Sequence, residues 1–292
     1  MADEPEIAEA AAPADEAEDG GKMDFSLIIG IVVAFSGIIV GLLMEGSSPG
    51  KYIGPSAGII VFGGTFGVTI TSVGLARFLD VPKAFMRALK YQSMNRRAAI
   101  STLVGFAEKA RREGLLVLED DLRATKDEFL RRGVQLVVDG TDPELVKEIL
   151  RTEVDTLHEE RHQQAGVWEA MGGFAPTLGI TGTVIGLVLV LSNISDPSSL
   201  AASIAVAFIA TLYGVGSANL IYLPVGMKLK GCADDEVASK EMLIEGILAI
   251  QSGDNPRIVE EKLVAFLSTK DRAAYRAAME AGAADLEMDL AA

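Results

Sequence analysis

The chain has 292 residues, of which 49% are apolar and 23% are charged, and its formal net charge is −15. A chain this acidic has no broad basic surface to neutralise phosphates, so a nucleic-acid-binding function is excluded. Four segments of 20 residues or more contain no Asp, Glu, Lys or Arg: 25–44, 52–76, 170–195 and 197–227. Each is long enough for a helix to cross a bilayer, which argues against a soluble enzyme.

The first predicted element is a tail over residues 1–22, rich in Ala, Glu, Asp and Pro. The first 24 residues hold nine acidic side chains, and Lys22 is their only basic residue. A secretory signal would begin with positive charge and continue into a short apolar core. We therefore predict a disordered, acidic cytoplasmic tail. Because Cys232 is the single cysteine, an internal disulfide is impossible.

The distribution of Lys and Arg gives the orientation of the four predicted spans. The link 45–51 holds one basic residue and the link 193–199 holds none. In contrast, residues 78–166 hold fifteen and residues 228–292 hold eight. Since Lys and Arg near span ends mark the cytoplasmic side, both termini and the middle segment are predicted to be cytoplasmic.

The predicted fold class is an all-α integral membrane protein with four transmembrane helices, in two hairpins, and a large helical cytoplasmic insert. The predicted segments are the tail, hairpin 1, the insert, hairpin 2 and the cytoplasmic C-terminal helices: 1–22, 23–77, 78–166, 167–227 and 228–292. Apolar residues at three- and four-residue spacing, with capping residues, predict the cytoplasmic helices: 98–112, 120–138, 143–164, 235–251 and 256–267. The last twenty residues are expected to be a frayed helix or disordered.

Small residues recur at four-residue spacing in three of the spans: Gly37 and Gly41, Gly63 and Gly67, Gly182 and Gly186. Membrane helices approach one another closely at such positions, although glycine is also common in membrane helices in general. The three pairs together predict a tightly packed, oligomeric bundle.

The four predicted spans contain no Asp, Glu, His, Lys or Arg. Intramembrane ion pathways usually depend on such a group, so either no ion moves or a partner supplies the ionisable residue. The last two spans do contain neutral polar groups: Thr177, Thr181, Thr183, Thr211, Tyr213, Ser217 and Asn219. Hydroxyl oxygens suit a small hard cation, but each hydroxyl can instead bond to its own helix. Pro176 and Pro224 each remove a helical hydrogen bond and predict a bend or hinge.

Four segments, in order, resemble the A subunit of the bacterial flagellar stator, the MotA/PomA type: IIVFGGTFGV, ARREGLLVLEDDL, FAPTLGITGTVIGLVLVLSNIS and AVAFIATLYGVGSANLIYLP. The resemblance covers about residues 23–267. It implies an ion-conducting, torque-generating subunit rather than an enzyme, in the bacterial inner membrane at the flagellar basal body.

The resemblance also implies partners. In this family five A-type subunits surround two single-span MotB/PomB-type subunits, whose cytoplasm-proximal Asp binds the ion and would supply the missing carboxylate. The family's ion-path threonines match Thr183 and Thr211, and its coupling prolines match Pro176 and Pro224. Thr183 resembles the sodium-type members, so Na⁺ is favoured over H⁺ as the transported ion. No resident cofactor or metal is expected.

A charged pair engages the rotor protein FliG in this family, and it matches Arg111 and Glu119. Arg112, Asp120 and Asp121 are neighbours that could share this work. Without the resemblance, these five side chains would be interpreted as an ordinary solvated helical face.

Two alternative functions are open at this point. The segment 158–162 reads His-Glu-Glu-Arg-His, which matches the H-E-x-x-H pattern of zinc proteases. A third ligand would have to be a carboxylate and the surrounding residues are polar, so a solvated helix is favoured over a zinc site. The second alternative is a TolQ/ExbB-type energising subunit that drives a cell-envelope partner. That group has three spans and tends to place an acidic residue inside one, whereas this chain has four spans and no such residue.

Overall fold

The computed structural model describes residues 25–192 and 197–290, and only the backbone of residues 197–199, 202 and 280–290. The predicted acidic tail and part of the second predicted link lie outside the described residues. Every regular element of the described ranges is helical, which confirms the predicted all-α class.

Within the described ranges, four helices are long and apolar enough to cross a membrane, as predicted: Ser26–Met44, Pro55–Val73, Pro143–Ser192 and Ser203–Gln251. The α-helices in chain order are α1 (Ser26–Met44), α2 (Pro55–Gly58), α3 (Gly64–Val73), α4 (Leu75–Leu79), α5 (Val81–Lys90), α6 (Arg96–Glu113), α7 (Leu118–Ala124), α8 (Glu128–Val138), α9 (Pro143–Ser192), α10 (Pro197–Ser217), α11 (Leu223–Gln251), α12 (Pro256–Val264) and α13 (Thr269–Leu290). π-helical turns at Ile59–Gly63 and Ala218–Tyr222 join α2 to α3 and α10 to α11, so each pair forms one continuous helix.

The third span and the cytoplasmic helix before it form one 50-residue helix, α9. At 1.5 Å per residue it is about 75 Å long, more than twice the thickness of a bilayer core. Asp142 caps its start, because the carboxylate accepts a hydrogen bond from the Glu144 amide at 3.0 Å. The predicted end near residue 164 is wrong, since the apolar periodicity of the cytoplasmic part passes directly into the membrane segment.

The predicted helix over 120–138 is also wrong in extent, because the structure divides it into α7 and α8. Asp127 begins α8 by accepting a hydrogen bond from the Leu130 amide at 2.7 Å. The Thr125 hydroxyl donates to the Asp121 carbonyl at 3.1 Å at the end of α7. These two side chains satisfy backbone groups that a continuous helix would have satisfied itself, which makes the break stable.

The cytoplasmic helices α6, α7, α8, α12 and the cytoplasmic parts of α9 and α11 surround a common apolar core. Its largest side chains with essentially no exposed surface are Ile100, Leu103, Leu118, Leu150, Met242, Leu243, Ile247 and Leu263. A second cluster lies where α5 packs against α9 and α11, with Trp168 between Phe85 and Tyr222. The membrane helices therefore continue into a well-packed cytoplasmic body.

Candidate ion path and rotor-facing surface

The third and fourth spans touch along a line of small residues. A Cβ atom added to Gly214 would lie 2.5 Å from the Ala175 carbonyl oxygen and 2.9 Å from the Gly179 Cα. At Gly182 and Gly186 it would lie 2.6 Å and 2.7 Å from alanine Cβ atoms of α10. The two backbones are therefore in direct contact, which only glycine permits at these positions.

Only one of the three predicted glycine pairs makes this contact within the chain. Gly182 and Gly186 face α10, whereas a Cβ added to Gly37, Gly41, Gly63 or Gly67 would meet no neighbouring atom of the described residues within 4 Å. Gly179 and Gly214, whose backbones approach each other directly, are not among the predicted pairs. The signal that identifies Gly179 is the repeat of glycine at 179, 182 and 186, the three- and four-residue spacing of one helix face.

The two predicted ion-path threonines lie side by side where α9 and α10 meet. The Thr183 Oγ1 atom is in hydrogen-bond contact with the Thr211 Oγ1 atom, and it lies 3.1 Å from the Gly179 carbonyl oxygen and 3.0 Å from the Ala207 carbonyl oxygen. A hydroxyl carries one hydrogen, so Thr183 can donate to only one of these acceptors at a time. Four neutral oxygen atoms thus converge, with more lone pairs than hydrogens to occupy them.

Four other polar side chains of these spans, those of Thr177, Thr181, Ser217 and Asn219, bond to their own helices. Thr177 donates to the Phe174 carbonyl at 2.7 Å, and Thr181 donates to the Thr177 carbonyl at 3.0 Å. Ser217 and Asn219 likewise bond to backbone carbonyls of the preceding turn. These groups therefore only bond back to their own helix. Thr183 and Thr211 differ, because their hydroxyls contact each other across the two helices.

Tyr213 fastens the beginning of the second span to the fourth. Its hydroxyl donates to the Tyr52 carbonyl at 2.7 Å and accepts from the Gly54 amide at 3.0 Å. Its ring stacks on Phe62, with ring centroids 5.8 Å apart. The sequence shows Tyr213 as a polar group of the span, but no sequence signal identifies the backbone groups it binds.

The two predicted coupling prolines occupy different helical settings. Pro176 lies inside α9, which continues on both sides of it. Pro224 lies in the first turn of α11, directly after the π-helical turn Ala218–Tyr222. Because proline lacks an amide hydrogen and its ring crowds the preceding turn, the wider π turn is the local adjustment that accommodates it.

The five predicted rotor-facing residues lie at one tip of the cytoplasmic body. Arg111 and Arg112 end α6, Gly114 turns the chain with a φ of +90°, and Glu119 and Asp120 lie in the first turn of α7. These four charged side chains are exposed, and none forms an ion pair with another described residue. Asp121 differs, because Lys109 Nζ lies 2.7 Å from its carboxylate. Leu116, between the two charged groups, is 71% exposed.

A polar cluster around Asp235 connects this body to the helix leaving the membrane. The Asp235 carboxylate accepts from the Tyr91 hydroxyl at 2.8 Å, the Ser93 hydroxyl at 2.7 Å and the Arg96 guanidinium at 2.7 Å. Burial, together with the hydrogen bond to Asp235, raises the pKa of Tyr91. The cluster holds the α5–α6 linker on α11, and the sequence alone did not reveal it.

Comparison with known proteins identifies the family of this chain. Residues 121–242 match the MotA/TolQ/ExbB proton channel family. Motility protein A of Borreliella burgdorferi is 40% identical over 250 residues, which are 86% of this chain and 96% of that protein. The chain belongs to the motility protein A family.

Solved structures agree with this assignment. The C. jejuni MotAB structure superposes with a TM-score of 0.80 at 35% identity, covering 85% of this chain and 97% of that one. The flagellar MotAB stator complex from Bacillus subtilis gives a TM-score of 0.78 at 33% identity, covering 84% and 97%. The predicted resemblance is thus confirmed over nearly the whole length of these relatives.

Family membership decides between the predicted functions. This member of the motility protein A family is a membrane-embedded, torque-generating stator subunit and not an enzyme. The alternative of a TolQ/ExbB-type subunit is superseded, since the relatives are motility proteins and MotAB complexes. The metalloprotease alternative is excluded as an activity, because family members are channel subunits.

Proposed function

We propose that this motility protein A relative conducts Na⁺ along the contact between α9 and α10 and converts its passage into movement of its cytoplasmic tip. The observation that carries the proposal is the convergence of Thr183, Thr211 and two backbone carbonyl oxygens in spans that contain no charged side chain. Neutral oxygen ligands at this spacing can replace part of the hydration shell of a small hard cation. Proton transfer through a partner carboxylate would not need them.

The partner in this proposal is a single-span MotB/PomB-type subunit. The spans of this chain contain no carboxylate, His, Lys or Arg, so the group that changes charge during transport must come from another polypeptide. Two of the structural relatives are MotAB complexes, which supports such a partner. Five copies of this chain would surround two copies of that subunit in the bacterial inner membrane, with the partner's Asp near the threonine pair. No resident cofactor enters this mechanism.

The helix geometry supplies a path from the ion to the cytoplasmic tip. Thr183 lies seven residues from Pro176 in α9, about 10 Å along the helix axis. From Pro176 the same helix continues for about 50 Å into the cytoplasm without an interruption. Binding of the ion would change the packing of α9 against α10, and Pro176 and Pro224 would act as the hinges that transmit this change.

The exposed charges at the tip would contact the rotor protein FliG. Arg111, Arg112, Glu119 and Asp120 make no ion pair with other described residues, so they are available to a charged partner surface. Asp121 would contribute less, since Lys109 already neutralises it. Because these groups are exposed, the contact should weaken as salt shortens the Debye length, which is about 8 Å at physiological ionic strength.

Ion flux tests the threonine pair. In the complex with its B-type partner, Thr183→Ala should reduce Na⁺ flux by at least about tenfold, which corresponds to roughly 1.4 kcal/mol, because it removes one of the converging oxygen ligands. Thr181→Ala is the matched control: Thr181 has the same chemistry and helix, but its hydroxyl bonds only to its own backbone. Equal loss in both variants would contradict the proposal. Undiminished flux of the parent complex without sodium, under a proton gradient, would rule out Na⁺.

Motility tests the rotor contact separately. Arg111→Glu should reduce torque while ion flux through the complex is retained. Adding Glu119→Lys to the same chain should restore part of the torque only if the two charges act on one partner surface. Arg131→Glu, an exposed arginine on α8, is the control and should leave torque unchanged. Loss of flux in Arg111→Glu would show that the residue acts on the channel instead.

A further inference from the structure

Two histidines and one carboxylate come together on the cytoplasmic part of the molecule. His158 and His162 are one turn apart on α9, with ring centroids 4.1 Å apart. Asp234 reaches them from α11, and its Oδ1 atom lies 3.3 Å from His162 Nε2. One ligand atom from each of the three residues lies within 4.8 Å of the others.

We propose that His158, His162 and Asp234 form a binding site for a divalent transition-metal ion, best suited to Zn²⁺. Imidazole nitrogens and a carboxylate are the ligands that zinc accepts, at about 2.0–2.2 Å from the metal. Two ligand atoms of one tetrahedral zinc then lie roughly 3.3–3.5 Å apart. The pair His162 Nε2 and Asp234 Oδ1 already has this separation, so small side-chain rotations of His158 complete the set.

An ion pair between His162 and Asp234 accounts for only part of this arrangement. The His158 Nδ1 atom is buried and has no hydrogen-bond partner among the described residues. A buried polar atom without a partner is costly, and a metal ion in this cluster gives the imidazole of His158 an electron-pair acceptor. The two imidazoles each have a ring nitrogen that can share one metal ion.

The neighbouring charges permit a cation at this position. The guanidinium of Arg161 is already neutralised, because its Nε atom lies 3.2 Å from Glu236 and its Nη1 atom lies 3.5 Å from Glu160. The Asp234 side chain is 64% exposed, so the ion can enter from the cytoplasm. Imidazole ligands favour Zn²⁺ over the hard cations Mg²⁺ and Ca²⁺, which prefer oxygen.

This site is a clamp rather than a protease centre. Glu159, the position of the general base in the zinc-protease pattern, accepts a hydrogen bond from Gln163 at 2.7 Å instead. The metal would join α9 to α11 on the cytoplasmic side of both hinge prolines. Asp234 lies ten residues after Pro224, about 15 Å along the helix, and His162 lies fourteen residues before Pro176, about 21 Å. A bound ion would therefore prevent the two long helices from sliding past each other there.

Zinc titration of the purified full-length chain in its membrane complex tests the site. After removal of metal with a chelator, the parent protein should bind one Zn²⁺ per chain in competition with a chromophoric chelator, and Mg²⁺ should not compete. His158→Ala and Asp234→Ala should each weaken zinc binding by at least about 100-fold, since each removes one of three ligands. Asp234→His replaces one zinc ligand with another and should retain most of the affinity.

Two control variants distinguish the loss of a zinc ligand from the effect of a substitution elsewhere in the chain. Gln163→Ala changes the residue beside His162 without removing a ligand, and Cys232→Ser removes the only thiol, so both should bind zinc as the parent does. Circular dichroism of the metal-free variants establishes that they retain their helices. Parent-like affinity in His158→Ala and Asp234→Ala, or the absence of saturable zinc binding in the parent, would overturn the inference.

Discussion

The membrane half and the cytoplasmic half of this molecule are held together by different side chains. In the cytoplasmic half, large residues such as Leu103, Leu150 and Ile247 have no exposed surface. In the membrane half α9 and α10 touch through glycine and alanine, while large side chains such as Val33, Ile59 and Phe208 are exposed. Within the part of the chain that the structure describes, Leu27 is the only residue of the first span that is buried.

This difference follows from the two solvents. Water drives large apolar side chains together, and each fully buried one contributes about 1.5–3 kcal/mol. Lipid tails are as apolar as Leu, so no such force acts between the spans, and close backbone approach must supply the contact. The cytoplasmic half of the chain therefore packs through large apolar residues, and the contact between its membrane helices is made by the smallest residues.

The largest expected effect comes from enlarging a residue in the membrane contact. In Gly214→Val the new Cβ atom would meet the Ala175 carbonyl oxygen at 2.5 Å and the Gly179 backbone, neither of which can rotate away. We expect α9 and α10 to separate and the chain to be lost from the membrane, measured as the amount of folded protein in purified membranes. Gly30→Val, where nothing lies within 4 Å, should accumulate normally. Normal levels of Gly214→Val would show that the two backbones are not in contact.

The next largest effect is expected from shortening a large side chain in the cytoplasmic core. Leu103→Ala should lower the free energy of unfolding of this half by about 2–5 kcal/mol, because it removes buried methyl groups and leaves a cavity. Chemical denaturation followed by far-ultraviolet circular dichroism measures it. Leu116→Ala, at a leucine that is 71% exposed, should change the stability by less than about 0.5 kcal/mol. Similar losses in the two variants would mean that burial is not what distinguishes them.

A smaller effect is expected at the polar junction between the two halves. Asp235→Ala removes the carboxylate that accepts from Tyr91, Ser93 and Arg96, although Arg96 keeps the Asp235 carbonyl as an acceptor. The loss should cost about 2 kcal/mol, since the cluster is partly exposed. Proteolysis within the α5–α6 linker should also become faster. Glu241→Ala, an exposed acid of the same helix, is the control for removing one negative charge. An unchanged rate of proteolysis in Asp235→Ala would show that other contacts hold the linker on α11.

The smallest effect concerns Tyr275, whose hydroxyl donates to Glu260 at 3.0 Å. Burial and the neighbouring carboxylate raise the pKa of Tyr275 to about 12, above its ordinary value of 10.0. The neutral phenol therefore favours the folded state, and this stability is complete below pH 10 and lost as the pH rises towards 12. Tyr275→Phe should remove this part of the alkaline destabilisation. In a titration followed by phenolate absorbance, this variant should also lose one tyrosine ionisation near pH 12. Loss of an ionisation near pH 10 instead would contradict the raised pKa of Tyr275.

The candidate site shows where sequence interpretation succeeds. The family resemblance assigns Thr183 and Thr211 to one path, and the structure brings their hydroxyls into contact. It also assigns Arg111 and Glu119 to one surface, and they lie on either side of one turn. Their roles stay predictions. The sequence cannot separate Asp121 from Asp120, because the ion pair of Asp121 with Lys109 depends on how α6 folds against α7.

The sequence by itself determined the four spans, their orientation, the family and the absence of ionisable groups within the membrane. These properties depend on composition and local spacing, which any segment carries regardless of its neighbours. Only the tertiary structure decided that Gly179 meets Gly214, that Tyr213 binds the Tyr52 carbonyl, and that Asp234 lies beside two histidines more than 70 positions earlier. Each of these contacts depends on the rotation and axial position of one long helix relative to a distant segment of the chain, and the packing of the whole bundle sets that relation.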